Sequence, residues 1–289
     1  MSEVIKLCPV CNSSQHRELG GSYAHASLKK CFNCNFVFAG YIPSAEILEQ
    51  HYSGYLRNNQ FSEITRKRYL ELLNQLEPYR KTNRIIDIGC GDGYFLQTAK
   101  EKGWDVYGTE FTTDAVENCR SRGITMFQGT AANIPDDLEF DVITTFEVIE
   151  HLNNGREFAQ QVYNRLRTGG VFYFTTPNFN SLSRRKLKGD WRVIEYPEHL
   201  SYYTPDTAHL LLSNAGFQQL ALFTSGVSFQ SRKDYREAVL SGNTAPSEAL
   251  RENIENRFYM RWMKNAVNAL LRNTSSGDTI KGFFVKPVR

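Results

Sequence analysis

Arg84-Ile-Ile-Asp-Ile-Gly-Cys-Gly-Asp-Gly93 is an apolar run that is broken first by an acid and then by three glycines at alternate positions. The isoleucines are β-branched and favour a strand that is buried on both faces. Gly89, Gly91 and Gly93 allow positive φ and leave no Cβ between the backbone and a ligand. A helix is expected from Tyr94 to Lys102. The stretch therefore predicts a strand, a glycine turn and a helix N-terminus that together form a cofactor cradle.

The length and charge of the chain limit its class. Its 289 residues can hold one large α/β domain and a small accessory module. No apolar run approaches the roughly 20 residues that a membrane span needs, and the N-terminal residues lack an apolar signal region. These features predict a cytoplasmic protein. The formal net charge of +3 is too small to indicate a nucleic-acid-binding surface by itself.

Two C-x-x-C pairs lie in the first forty residues, Cys8 with Cys11 and Cys31 with Cys34. This spacing is typical of a structural zinc site, because four thiolates leave no open coordination position for catalysis. A segment this short lacks a core of its own, so the metal would supply its folding free energy. The pattern predicts a zinc-binding module over residues 1–42, and four unrelated buried thiols are the alternative.

Residues 43–80 are predicted to form a helical linker. It would contain a short capped helix that ends at about His51 and a longer helix from Ser62 to Leu76. The remaining residues, 81–289, are predicted to form the large α/β domain. Strand and helix alternate through it, as in a doubly wound parallel sheet.

Further strands are expected after the glycine turn, at Asp105–Glu110, Ile124–Gln128, Phe140–Phe146 and Val171–Thr176. Glu110 ends the second strand, where an acid can accept hydrogen bonds from both hydroxyls of a bound ribose. A surface glutamate is the alternative. The loop after the third strand contains Thr130 and Ala131 and suits the rim of an adenine pocket. A helix that carries Phe158, Val162 and Leu166 is expected before the fifth strand.

Together these motifs resemble class I S-adenosylmethionine-dependent methyltransferases. They are, in order, Asp87–Gly93, Glu110, Phe140–Ile143 with Glu147–His151, and Leu166–Gly170 before Thr176–Asn178. The match covers about residues 60–225 and implies a Rossmann-like, seven-stranded sheet with S-adenosylmethionine as the cofactor. In that family the glycine loop accommodates the methionine part, the acid after strand two holds the ribose, and the strand-three loop flanks the adenine.

Carried over residue by residue, the resemblance assigns cofactor binding to positions at the ends of the first four strands. These residues are Asp87, Gly89, Cys90, Gly91, Glu110, Phe111, Thr130, Ala131, Phe146 and Glu147. Thr130 departs from the pattern, because many members have an aspartate there that accepts a hydrogen bond from the adenine amino group. Backbone groups would accept that bond here.

The long segment over residues 178–204 shows no clear periodicity, and its length and position after strand five indicate an acceptor site above the strand ends. His199 is the expected proton acceptor, because an imidazole with a pKa near 6.5 can be a neutral base at pH 7. Glu198 or Tyr196 would orient it. A buried or helix-capping His199 is the alternative, and His151, which follows strand four, is the second candidate.

Tyr196–His199 also resembles the Tyr-x-Glu-His element of sugar methyltransferases that carry an N-terminal zinc module, many of which act in bacterial surface-polysaccharide or natural-product pathways. This resemblance implies methyl transfer to a hydroxyl or carbon of a nucleotide-linked or lipid-linked sugar. The basic run Arg184–Lys188 would suit the phosphates of such an acceptor, and a solvated loop is the alternative. An RNA methyltransferase and a cofactor-binding scaffold without turnover are the competing hypotheses.

A helical insert over residues 225–275 is expected between strand six, Phe217–Thr224, and a final edge strand, Thr279–Val285. An apolar stripe at i, i+4 spacing runs through it and consists of Leu250, Ile254, Phe258, Trp262, Ala266 and Leu270. One interpretation is a helix over residues 250–271 that packs on the domain. Homodimer formation or contact with a membrane surface is the other.

Overall fold

A computed structural model describes residues 3–44, 47, 61–228, 231–234, 237 and 258–288. The strands used below are β1 (Glu3–Val4), β2 (His16–Glu18), β3 (Leu28–Cys31), β4 (Val37–Ala39), β5 (Tyr41–Ile42), β6 (Arg84–Ile88), β7 (Asp105–Glu110), β8 (Thr125–Gln128), β9 (Phe140–Phe146), β10 (Leu166–Pro177), β11 (Ser201–Tyr202), β12 (Gln218–Ser225) and β13 (Thr279–Val285). The helices are α1 (Glu63–Leu76), α2 (Tyr94–Glu101), α3 (Thr113–Ser121), α4 (Gly155–Arg165), α5 (Leu182–Leu187), α6 (Pro205–Asn214) and α7 (Phe258–Asn273).

The core of the protein is a seven-stranded sheet in the order β12-β13-β10-β9-β6-β7-β8. The five strands from β10 to β8 pair in parallel, and β13 pairs antiparallel with both β10 and β12. Helices α1, α2 and α3 cover one face through residues such as Leu73, Leu96 and Val116, and α4 and α6 cover the other through Phe158 and Leu211. The doubly wound, Rossmann-like sheet predicted from the sequence is confirmed.

The last strand, β13, does not lie at the edge of the sheet, so this part of the prediction is wrong. It inserts between β10 and β12, and β12 forms the edge. Ile280 and Phe284 are fully buried, and Gly282 lies so close to Phe174 of β10 that a Cβ would overlap the ring. Phe283, next to Phe284 and so on the opposite face of the strand, is also buried, which places β13 inside the sheet with both faces covered.

The fifth strand begins earlier than expected, and Leu166 belongs to it rather than to the preceding helix. Leu166 is buried and pairs with Phe140, and the register shifts between Leu166 and Val171. Gly169, at φ +74°, lies in the intervening residues. The chain therefore starts β10, bulges outward and re-enters the sheet at Val171.

Asp141 of β9 anchors the start of this sheet. It is fully buried, its Oδ1 accepts a hydrogen bond from Arg167 Nε, and its Oδ2 accepts from the backbone N–H groups of Lys81 (2.8 Å) and Thr82 (2.7 Å). Burial by itself raises the pKa of Asp141, but Arg167 and the two N–H groups lower it overall. The carboxylate thus joins three separate stretches of chain.

Asp141→Ala is expected to lower the free energy of unfolding by about 3–5 kcal/mol, because it leaves the partly buried Arg167 and two backbone N–H groups without their acceptor. Urea unfolding measures the change. Asp136→Ala is the matched control, since it removes an ion pair with Arg165 whose carboxylate is fully exposed, and it should cost at most about 1 kcal/mol. Equal losses in the two variants would contradict this role for Asp141.

The N-terminal cysteine segment shares a sheet with the segment after strand five. The second sheet has the order β11-β4-β3-β2, and β11 pairs antiparallel with β4 through Ser201 opposite Phe38 and Tyr202 opposite Val37. The segment over residues 178–204, which shows no periodicity in the sequence, contains the helix α5 and the strand β11. The Phe36 and Tyr203 rings pack with their centroids 4.9 Å apart.

Longer-range packing joins the same parts of the chain, because Cys8, Val10 and Phe36 belong to the buried cluster that contains Ile149 and Tyr203. The N-terminal segment, which is too short for a core of its own, uses the core of the large domain. The domain boundaries at residues 42 and 80 remain predictions.

The helical linker and the C-terminal insert are described in part. Ser62 caps α1 by accepting a hydrogen bond from Thr65 N (3.3 Å), whereas the predicted short helix near His51 lies outside the described residues. Leu250 and Ile254 also lie outside them. Among residues 266–273 of α7, whose burial is described, Leu271 is buried (3% exposed) and Leu270 is 63% exposed. Ala266 is exposed as well, so the interpretation as a helix packed on the domain is wrong at Ala266 and Leu270. Among the described helices, none is both long and apolar enough to cross a bilayer.

Candidate cofactor and acceptor site

The glycine turn after β6 has the backbone that the sequence predicts. Gly89, Gly91 and Gly93 have φ values of +72°, +54° and +70°. A Cβ on Gly89 would lie 2.7 Å from a methyl group of Val148, and one on Gly93 would lie 2.7 Å from Cys119 Sγ. Among the described residues, no atom outside the turn lies within 4 Å of a Cβ built on Gly91. Gly89 and Gly93 are thus required by packing, and the open side of the turn lies over Gly91.

Glu110 joins the end of β7 to this turn. Its Oε2 accepts a hydrogen bond from Gly91 N (3.0 Å), and its Oε1 accepts one from Phe111 N (2.9 Å). The Glu110 carbonyl accepts from Gly129 N (2.9 Å), which brings in the loop after β8. The ends of three neighbouring strands therefore meet beside one carboxylate, as expected at the carboxyl edge of a parallel sheet.

The predicted adenine rim has a defined backbone. Thr130 caps a short 3₁₀ turn, its Oγ1 accepting from Ala132 N (3.3 Å) while its N–H donates to Asn133 Oδ1 (2.9 Å). Ala131 is buried, whereas the Phe111 ring is 76% exposed beside Glu110. These residues fit S-adenosylmethionine: a carboxylate can accept from two hydroxyls, and an exposed aromatic ring offers a surface for a base.

Asp87 lies beneath the glycine turn rather than at its surface. It is 2% exposed, and Thr144 Oγ1 donates a 2.8 Å hydrogen bond to its Oδ1. Burial raises the pKa of Asp87 to about 8, although the bond from Thr144 opposes the shift. A carboxyl in this environment keeps its proton at neutral pH and supports the turn from below.

Asp87→Asn is expected to remove a pH dependence of stability. Between about pH 4 and pH 8 the folded protein holds the Asp87 proton and the unfolded chain has lost it, so stability falls as pH rises through this range. The slope from one such group is about 1.4 kcal/mol per pH unit. Urea unfolding from pH 5 to pH 8 should show a steeper decline in wild type than in the variant, and parallel profiles would contradict the assignment.

Phe146 and Glu147 lie where β9 ends. Phe146 packs among aromatic rings, with its centroid 5.0 Å from that of Phe95 and 5.8 Å from that of Tyr173. Glu147 has φ +55°, which is unusual for a residue with a side chain, and its N–H donates to Thr175 O (3.0 Å). Glu147 is exposed at the surface of the site, yet desolvation by the surrounding protein raises the pKa of its carboxyl group, and Thr175 together with the charges of Arg192 and Lys281 opposes the shift.

A cavity of about 1300 Å³ opens at this edge of the sheet, between α1, α7 and the ends of β9, β10, β12 and β13. The charged and hydroxyl side chains that line it include Arg68, Glu147, Tyr173, Thr175, Arg192 and Lys281. Glu147 is an exposed residue in the wall of this cavity, and the charges of Arg192 and Lys281 act on its carboxyl group. Sequence reasoning missed Arg68, Tyr173 and Lys281 as site residues, and the only sequence signal for Tyr173 and Lys281 is a polar group within an otherwise apolar strand.

His199 and His151 lie together, with ring centroids 4.7 Å apart. His199 Nδ1 lies 2.7 Å from the Val193 carbonyl oxygen, and His151 Nδ1 lies 2.8 Å from the Glu198 carbonyl oxygen. A carbonyl oxygen only accepts, so each Nδ1 carries a proton and each neutral ring has its lone pair on Nε2. The acceptor that orients His199 Nδ1 is thus a backbone carbonyl, not Glu198 or Tyr196 as expected.

Tyr196 and Glu198 have other roles in this segment. Tyr196 packs against the buried cluster that contains Phe179 and Trp191, and Glu198 supplies the carbonyl bound by His151. Val193 contributes to the wall of the 1300 Å³ cavity, whereas neither histidine is among the described residues that line it. The histidine pair and the cavity therefore meet at Val193.

The four cysteines of the N-terminal segment come together as predicted. The Cys8 and Cys34 sulfurs are 3.6 Å apart, those of Cys11 and Cys31 are 3.5 Å apart, and all four lie within 4.8 Å of one another. Tetrahedral zinc with bonds of about 2.3 Å to sulfur requires separations of about 3.8 Å. The donor set and its dimensions fit a four-thiolate zinc site.

The basic run Arg184–Lys188 lies mostly in the helix α5 rather than in a loop, and Arg185, Lys186 and Lys188 are exposed. Arg184 Nε donates to Phe179 O (2.6 Å), and its guanidinium lies 4.5 Å from the centre of the Phe179 ring. Arg185 Nη2 donates to Asn180 Oδ1 (2.8 Å). These two arginines hold the segment together, and the cations that line the cavity are Arg68, Arg192, Arg272 and Lys281.

Comparison with known proteins identifies the family. Residues 61–222, more than half of the chain, match the model of a family described as a methyltransferase domain. The chain belongs to this methyltransferase-domain family. A probable S-adenosylmethionine-dependent methyltransferase of Mycolicibacterium smegmatis is 32% identical over 112 residues, which are 37% of this chain and 44% of that protein. A ubiquinone biosynthesis O-methyltransferase of Methylococcus capsulatus is 29% identical over 134 residues, 44% of this chain and 54% of that protein.

The chain spans about half the length of the curated relatives it matches. Solved structures of methyltransferases share the fold. A putative sarcosine dimethylglycine methyltransferase from Galdieria sulphuraria superposes with a TM-score of 0.54 at 14% identity, covering 84% of this chain and 97% of that one. Phosphoethanolamine N-methyltransferase 2 of Haemonchus contortus, in complex with S-adenosyl-L-methionine, gives 0.53 at 17% identity, covering 87% and 62%.

Proposed function

We propose that this chain binds S-adenosylmethionine at the ends of β6, β7 and β8 and transfers its methyl group to a small-molecule acceptor. The observation that carries the proposal is the Glu110 carboxylate beside the open side of Gly91, on the sheet of a methyltransferase-domain family. The relatives named as S-adenosylmethionine-dependent methyltransferases support it.

The cofactor, when bound, supplies a methyl group on a sulfonium ion. Gly91 would leave room for the methionine part, and Glu110 would accept from the ribose hydroxyls in place of the Gly91 N–H. Phe111, Thr130 and Ala131 would flank the adenine. Because methyl transfer is a linear displacement, the main task of the protein is to align acceptor and methyl group. We expect Phe146, Glu147 and the cavity beyond them to hold the acceptor for that alignment.

His199 is the proposed proton acceptor. A neutral imidazole whose Nδ1–H is held by the Val193 carbonyl presents the lone pair of Nε2, which is the form a general base needs. As the bond from acceptor oxygen to methyl forms and the sulfur–methyl bond breaks, the proton of the acceptor hydroxyl would pass to His199. His151, in contact with the His199 ring, is the second candidate.

The proposed acceptor is a nucleotide-linked or lipid-linked sugar, methylated at a hydroxyl or carbon in polysaccharide or natural-product synthesis. The Tyr196–His199 element supports the sugar, and the relative named as an O-methyltransferase supports an oxygen acceptor. Arg68, Arg192 and Lys281 line the cavity and suit the phosphates of such a molecule. A cavity of about 1300 Å³ favours a small acceptor over RNA. A cytoplasmic location is part of the same proposal.

A structural zinc ion on Cys8, Cys11, Cys31 and Cys34 completes the proposal. Protein purified without chelator is expected to retain one tightly held zinc per chain by atomic emission, and Cys31→Ser should lose it together with much of the stability. Because β4 of this module pairs with β11, metal loss should also loosen the segment around His199. A four-cysteine site without metal in the purified protein would contradict the prediction.

The test of function is the destination of a labelled methyl group. The zinc-loaded protein is incubated with methyl-labelled S-adenosylmethionine in three parallel reactions. One contains nucleotide-sugars, one contains lipid-linked sugars and one contains total RNA. Label is expected in a sugar-containing acceptor. Label in RNA would contradict the sugar acceptor and support the hypothesis of an RNA methyltransferase. Cofactor binding without transfer to any acceptor would support the hypothesis of a cofactor-binding scaffold without turnover.

A further inference from the structure

We propose that Glu150, His151 and His199 form a second divalent metal site, separate from the four cysteines and exchangeable with the medium. One potential ligand atom from each of the three side chains lies within 4.8 Å of the other two. Two imidazole nitrogens and one carboxylate oxygen are a donor set that binds Zn²⁺ and similar ions while leaving coordination positions open.

The two histidines are oriented as metal-binding histidines are. Such residues donate the proton of one ring nitrogen to a backbone carbonyl or carboxylate and bind the metal with the other nitrogen. His151 Nδ1 bonds to the Glu198 carbonyl (2.8 Å) and His199 Nδ1 to the Val193 carbonyl (2.7 Å). Both neutral rings therefore carry the lone pair on Nε2, the atom that would bind the ion.

Glu150 provides the third ligand from a fixed position. Its side chain is 2% exposed, and Thr176 Oγ1 donates a 2.9 Å hydrogen bond to its Oε2. A ligating carboxylate is commonly held by such a bond, which leaves the second oxygen to face the ion. All three side chains thus have a hydrogen-bond partner that orients them, and two of these partners come from the segment 178–204.

The backbone holds the three residues close to one another. Leu200 N, next to His199, donates to the Glu150 carbonyl (2.8 Å), and Ala39 N donates to the Leu200 carbonyl (2.8 Å). Glu150 and His151 share one 3₁₀ turn. With metal bonds of about 2.0–2.2 Å, tetrahedral ligands lie roughly 3.4 Å apart, so small side-chain rotations would close the site around an ion.

Metal in this site would engage His199 Nε2 and remove the lone pair that the proposed base needs. Added zinc is therefore expected to inhibit methyl transfer. This consequence rests on the proposed function, whereas metal binding by the three residues does not, so metal content and activity are measured separately.

The experiment is equilibrium dialysis of the zinc-loaded protein against micromolar Zn²⁺, with metal content measured by atomic emission. Wild type is expected to hold two zinc ions per chain, and His151→Ala and His199→Ala are expected to hold one. Glu150→Gln, which keeps an oxygen to accept from Thr176, should weaken the second site about tenfold or more. His209→Ala is the matched control, because His209 is exposed on α6 and bonds to Gln219 Oε1 (2.7 Å); it should hold two.

Three results would overturn the proposal. The first is that wild type holds only the cysteine-bound zinc at saturating Zn²⁺. The second is that all three site variants keep the second ion. The third is that His209→Ala loses the second ion to the same extent as the site variants. Retention of the cysteine-bound zinc and of the melting temperature shows that a variant is folded. A second ion bound with methyl transfer undiminished would remove the inhibitory consequence, and a failure to find any methyl acceptor would count against the proposed function alone.

Discussion

Replacing Gly91 by valine is expected to abolish S-adenosylmethionine binding, with affinity reduced at least about a hundredfold. The valine side chain would project into the open space over the glycine turn, where the cofactor is proposed to lie. Valine at φ +54° also strains the turn and weakens the bond from the Gly91 N–H to Glu110. Isothermal titration of the purified variant with S-adenosylmethionine measures the effect.

Gly21→Val is the matched control for that experiment. Gly21 has a similar φ of +64° and no atom of the described part of the chain within 4 Å of a built Cβ, but it lies in the N-terminal module. Valine there carries the same kind of backbone strain without entering the proposed cofactor site. Wild-type affinity in Gly91→Val, with circular dichroism unchanged, would show that the glycine turn has another role. Equal loss of affinity in both variants would attribute the effect to strain alone.

His199→Ala is expected to reduce turnover by roughly 10²- to 10⁴-fold, the usual contribution of a general base, with cofactor affinity nearly unchanged. The imidazole is oriented by the Val193 carbonyl and lies against His151, whereas Glu110 accepts from Gly91 N and Phe111 N in the glycine turn. Loss of the base should therefore lower the rate of the chemical step without changing the cofactor cradle.

The pH profile distinguishes a base from a structural histidine. In wild type the rate should rise as His199 loses its proton near pH 6 to 7, and this rising limb should be absent in His199→Ala. His209→Ala should keep both the rate and the limb. If His199→Ala retains wild-type turnover on the true acceptor, the histidine is structural and His151 becomes the candidate base. If His199→Ala also loses cofactor binding, the segment over residues 178–204 supports the glycine turn that binds the cofactor.

The central sheet and the cofactor cradle could be predicted from the sequence because their signals are local. The isoleucines before Gly89 indicate a doubly buried strand, and the alternate glycines indicate a turn that needs positive φ. Glu110 ends the next strand, and parallel strands bring such ends to one edge. No long-range information was needed to place these residues together.

The neighbours of β13 and β11 could not be predicted in the same way. The apolar residues of β13 indicate burial, which is the same for an inner strand and for a covered edge, so they did not reveal the position between β10 and β12. β11 has two residues, Ser201 and Tyr202, too few for a periodic pattern. Its pairing with β4 depends on contacts between residues that are about 160 positions apart in the chain.

The candidate acceptor site depends on backbone groups and side chains that carry no motif. His199 is held by the Val193 carbonyl, and every residue has a carbonyl, so the sequence offered only the side chains of Glu198 and Tyr196 as partners. Arg68 reaches the cavity from α1, where the sequence shows one of several basic residues on an amphipathic helix. Tertiary packing selects these groups.

The most direct test of the account is a crystal structure of the zinc-loaded protein with S-adenosylhomocysteine, the product that the proposed reaction leaves. The account predicts ribose hydroxyls within hydrogen-bond distance of the Glu110 carboxylate, the amino-acid part over Gly91, and the sulfur directed toward Phe146, Glu147 and the cavity beyond them. Ligand density at another place on the protein, or density over the glycine turn with Glu110 still bound only to backbone N–H groups, would contradict it.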